Sequence, residues 1–112
     1  MKMILTINEI LHVKSDWYKT YVLSAKNILD GAKAVMKIRD IKTDKVLCEP
    51  ECVIVGNNLQ VHIPWELSAS IPRNISKAYY DMFIVIPLEK GTIQYKVVMG
   101  EFKIIHDASM HK

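Results

Sequence analysis

Short runs of alternating apolar and polar residues, broken by turn-forming residues every eight to twelve positions, run through most of this 112-residue chain. Strand side chains repeat every second residue, whereas an amphipathic helix needs apolar positions three and four apart, and that helical spacing is nearly absent. Met3-Ile4-Leu5-Thr6-Ile7 reads as a first strand with Met3, Leu5 and Ile7 on one face, and Trp17 to Leu23 as a second, rich in aromatic and β-branched residues. Ser24 to Gly31 reads as a connection.

Ala32 to Arg39 sends Ala34, Met36 and Ile38 inward and Lys33, Val35, Lys37 and Arg39 outward, with Asp40 to Lys45 as the turn after it. Cys52 to Val55 and Leu59 to Ile63 flank Gly56-Asn57-Asn58, residues that tolerate positive φ, so the pair reads as a hairpin with Leu59, Val61 and Ile63 facing in. Pro64 to Pro72 is the one place for a helical turn, opened by one proline and ended by another. Ala78 to Ile86 is apolar almost throughout, which predicts burial on both faces at its centre. Thr92 to Met99 follows a Glu89-Lys90-Gly91 turn, and Gly100 predicts a bulge or kink before Glu101 to Ile105. About seven to eight strands in a chain of this size predict an all-β fold, an immunoglobulin-like Greek-key β-sandwich, as one domain over residues 1–112.

Composition bounds the function. A net charge of +3 is spread as single Lys and Arg residues, without the concentrated basic face of a nucleic-acid binder. The longest apolar stretch, Met82 to Leu88, contains Pro87 and is far below the roughly 18 to 20 residues that span a bilayer. The apolar run at the start is too short for a signal peptide and meets Glu9 early, so a soluble cytoplasmic protein with no membrane partner is expected. Cys48 and Cys52 form a single C-x3-C pair, and a zinc site would have to recruit His12, His62, His106 or His111 from a distance. Two ordinary thiols flanking a turn, with no disulfide and no metal, is the better reading.

Catalytic patterns are missing. None of Ser15, Ser24, Ser68, Ser70, Ser76 and Ser109 lies in a G-x-S-x-G elbow, and the four glycines stand singly, giving no phosphate-cradling loop. Glu49 with Glu51, or Glu66 with Asp81, have nothing to set them apart from loop acids. No enzymatic activity and no cofactor are expected. Trp17, Tyr18 and Trp65 are candidate exposed aromatic contacts that could stack on sugar rings, although aromatic residues in a small β-sandwich more often anchor the core. Tyr80 and Asp81 in Ala78-Tyr79-Tyr80-Asp81-Met82 suggest a structural corner, with the Tyr80 hydroxyl bonded back to the preceding loop.

From Gly31 to Ser109 the chain resembles a family of short phage and prophage immunoglobulin-like proteins encoded among virion structural genes near tail, neck or fibre components. The likeness lies in Ala34-Val35-Met36-Lys37-Ile38-Arg39-Asp40, Leu59 to Pro64, Leu67 to Pro72, Ala78 to Met82 and Val98 to Ile104, in that order. It implies a virion protein, assembled in the host cytoplasm, that binds other virion proteins and forms a homo-oligomer or symmetric assembly; the family has no catalytic residues to transfer. A carbohydrate-binding module for a cell-surface glycan, or a cytoplasmic binder of a host protein, are the alternatives.

Overall fold

The computed structural model describes residues 5–22 and 31–106, and these form an all-β fold of two sheets. In the larger sheet, β1 (Leu5–Thr6) and β2 (Glu9–His12) lie end to end and parallel along one edge of β9 (Gly91–Ile105). Beyond β9 come β8 (Lys77–Leu88), β4 (Lys33–Asp40) and β5 (Val46–Cys48), each antiparallel to its neighbour. The smaller sheet is antiparallel, in the order β3 (Trp17–Val22), β7 (Asn58–Ile63), β6 (Glu51–Val55). One short helix, α1 (Trp65–Ala69), follows β7.

The core lies between the sheets and is built from period-two positions. The larger sheet contributes Leu11, Met36, Ile38, Tyr80, Met82, Val98, Phe102 and Ile104; the smaller contributes Tyr21, Leu59, Val61 and Ile63. Fully burying one such side chain contributes about 1.5 to 3 kcal/mol, which is why alternation decides which way each strand faces. The β6–β7 turn relies on Gly56, whose φ of +61° would strain any side chain. At α1, Ser68 is fully buried; its Oγ accepts the Lys14 N–H at 3.0 Å and donates to the Trp65 carbonyl at 3.1 Å, fastening the helix to the β2–β3 turn.

Several expectations need correction. The described residues hold nine strands rather than seven or eight, because β2 and β5 are short edge strands without a clear local pattern. Of the predicted first strand, Leu5–Thr6 is regular, whereas Met3 and Ile4, like most of the predicted connection from Ser24 to Gly31, lie outside the described residues. β8 is not buried on both sides: Ala78, Tyr80, Met82 and Ile84 are buried, while Tyr79, Asp81, Phe83 and Val85 alternate with them on a half-exposed outer face. Apolar outer residues disguised a one-sided strand.

Gly100 marks no bulge. The register shift in β9 falls where Met82 opposes Val98 and Phe83 opposes Lys96, so Val97 is the extra residue, and Gly100 pairs regularly with Tyr80. Glycine is required there because a Cβ would lie 2.0 Å from the Ile7 carbonyl oxygen, where the chain crosses between β1 and β2.

Candidate functional site

Two polar clusters stand out, one inside the fold and one on its surface. The inner one surrounds Tyr80, which is 1% exposed. Its hydroxyl donates to the Ile7 carbonyl at 2.7 Å and lies 3.5 Å from the Tyr21 hydroxyl, which donates to Glu9 Oε2 at 3.1 Å. Lys19 Nζ, on the other sheet, meets the same Glu9 oxygen at 3.0 Å, and Asn8 Oδ1 accepts the Glu101 N–H at 3.0 Å. Burial raises the Tyr21 and Tyr80 hydroxyls above their usual range, so both stay protonated donors. Tyr80 thus pins the segment between β1 and β2 to β8, not the preceding loop as the sequence suggests. Asp81, its neighbour, points to the opposite face and meets Lys96 Nζ at 3.5 Å.

The outer cluster sits on the exposed face of the smaller sheet. Strand alternation and register place three rows there: Tyr18–His62–Glu51, Thr20–Gln60–Val53 and Val22–Asn58–Val55. Tyr18 and Val22 are each 71% exposed, Val53 56% and Val55 52%, and none of the nine residues is Lys or Arg. Tyr18 and His62 stack with ring centres 4.2 Å apart and planes 4° from parallel. His62 Nε2 lies 2.8 Å from Asp16 Oδ2, and Nδ1 lies 3.4 Å from Glu51 Oε1. Asp16 Oδ1 accepts the Trp65 backbone N–H at 3.1 Å, so one carboxylate joins the β2–β3 turn to β7 and to the start of α1.

The hydrogen bond to Asp16, helped by Glu51, holds the His62 ring above its usual pKa, and the same bond holds the Asp16 carboxyl below its own. A shallow groove of about 340 Å³ crosses this face between Tyr18, Glu51, Val53 and His62, with Lys19 also in its lining.

The three predicted exposed aromatics do not share a surface. Tyr18 is exposed and Trp65 is 49% exposed, but Trp17 is half-buried, with its ring edge-on to Phe102 at 5.3 Å. Trp17 and Tyr18 are adjacent in β3 and therefore point to opposite faces. His62 is the residue sequence reasoning missed: the sequence offers it only as a distant zinc ligand, and its partners Asp16 and Glu51 lie 46 and 11 residues away, where no local motif marks them.

The ring nitrogens of His62 are both engaged by carboxylates, and burial pushes the Cys48 thiol up to about 12 and the Cys52 thiol up to about 11. Both cysteines are free, and Glu49-Pro50 between them carries the chain from β5 in one sheet to β6 in the other. Among the described residues no group of three or more His, Cys, Asp or Glu side chains could hold a metal ion, and no helix is long and apolar enough to cross a membrane. No family model matches the chain, and no curated protein matches it.

Proposed function

We propose that this chain is a non-catalytic structural and interaction module of a phage or prophage particle, folded as an immunoglobulin-like Greek-key β-sandwich and docked on neighbouring capsid, neck, tail or fibre proteins. The strand order supports the finer fold, with β3, β7 and β6 in the places of the B, E and D strands and β4, β8 and β9 in those of C, F and G. The observation that carries the interaction role is the outer face of β3–β7–β6. Exposed aromatic and aliphatic area with no Lys among the nine face residues fits a protein contact surface.

The virion setting rests on the five-segment resemblance. Three of its segments lie in β4, the first half of β8 and the end of β9, adjacent in one sheet, and a fourth contains most of β7. The glycan reading draws on exposed Tyr18 and Trp65 but loses Trp17 to the core. Mass spectrometry of purified particles tests the proposal: the chain is expected in stoichiometric amounts, and its absence from particles overturns the virion role.

A further inference from the structure

The outer faces of the two sheets point away from each other across the core, and their charges are opposite. On the larger sheet, alternation and register give the rows Lys33–Val85–Gln94, Val35–Phe83–Lys96, Lys37–Asp81–Met99 and Arg39–Tyr79–Glu101, followed by Lys77 beside Lys103. Six cations there face two carboxylates, and Asp81 is already engaged by Lys96. The centre of this face is apolar: Val35 is 38% and Met99 39% exposed, with Phe83 between them in the sheet. The smaller sheet also offers an apolar surface, but its carboxylates, Glu51 on the face and Asp16 at its end, outnumber the single histidine, His62, that they share.

We propose that the outer face of β3–β7–β6 docks on the outer face of β4–β8–β9 of a second copy of this chain. The inference deepens the interaction role proposed above and rests on it. Pairing either face with itself would set like charges together, whereas pairing one with the other brings apolar centres together and places acids near lysines. Such a contact is heterologous, so each copy keeps one free face and the assembly grows into a ring or a column. Three strands about 4.8 Å apart and six residues of about 3.4 Å each give the smaller face roughly 15 by 20 Å, well below the roughly 800 Å² per partner of a stable complex. The contact is therefore weak between isolated copies and effective where they are concentrated.

Sedimentation velocity of the purified chain from micromolar to about millimolar concentration, at low salt, tests this. Wild type should grow past dimers with concentration and fall back towards monomer in about 1 M salt. Thr20→Lys places a cation on the smaller face without touching the His62 contacts, and Lys37→Glu reverses one on the larger. Each should weaken association about tenfold or more while leaving the thermal midpoint unchanged; Lys33→Glu replaces Lys37→Glu if the latter does not fold.

An equimolar mixture of the two variants should restore association, because the smaller face of Lys37→Glu and the larger face of Thr20→Lys are both unaltered and can dock on each other. A wild type that stays monomeric, single variants that associate like wild type, or a mixture that does not pair would each overturn the proposal. Particle composition is a separate readout. A chain found in particles yet monomeric in solution overturns the docking pair alone, and one that self-associates but is absent from particles overturns the virion role alone.

Discussion

Two tyrosine-centred clusters in this molecule use the same chemistry to different ends. Around Tyr80, hydroxyls and carboxylate are turned inward, the first strand passes so close that only glycine fits opposite, and both hydroxyls have partners. Around Tyr18, the ring is 71% exposed and stacks on His62, and the neighbouring rows present bare valines. Folding accounts for the first cluster, since unpaired polar groups there would be costly. It does not account for the second, where exposed apolar area gains nothing from the fold and is available to a partner.

The sharpest way to break this contrast is to crowd the inner cluster. Gly100→Ala must push the Ile7 carbonyl aside, combining overpacking with loss of the Tyr80 bond, so unfolding experiments should show a loss of about 3 kcal/mol or more. A variant as stable as wild type would mean that the first strand yields freely. Tyr80→Phe leaves the Ile7 carbonyl without its 2.7 Å donor, and denaturant titration should report a loss of about 1 to 2 kcal/mol. No change would mean that water replaces the hydroxyl.

The outer cluster responds to pH. With its folded pKa held above the usual 6.5, His62 contributes stability that is fully present below pH 6.5 and is lost as pH rises through the folded value. Asp16, held below its usual 3.8, contributes stability present above pH 3.8 and lost as pH falls through its folded value. The clasp is therefore strongest between those limits. Asp16→Asn should move the His62 midpoint in an NMR titration down towards 6.5, and a wild-type midpoint already at or below 6.5 would refute the clasp.

Alternation made much of this legible: Met36, Ile38, Leu59, Val61 and Ile63 face inward as their spacing predicts, and a helical turn forms after Pro64. What escaped depends on partners far apart in the chain. Gly100 is a glycine because of Ile7, and Tyr80 bonds a residue 73 positions earlier, so local patterns could flag both without naming the reason. β2 and β5 are too short to show a period, and the apolar outer residues of β8 mimic a doubly buried strand. In the candidate site, Tyr18 and Trp65 stood out as aromatic residues, while His62 acquired its role only when three strands were in register.

The central claim is that the exposed Tyr18 ring and the bare valines beside it serve association and not stability, and sedimentation velocity on Tyr18→Ala at matched concentration tests it most directly. The stacked cross-strand pair is worth only about 0.2 to 1 kcal/mol, so the variant should remain folded. It should associate about tenfold more weakly than wild type; association at the wild-type level would contradict the account.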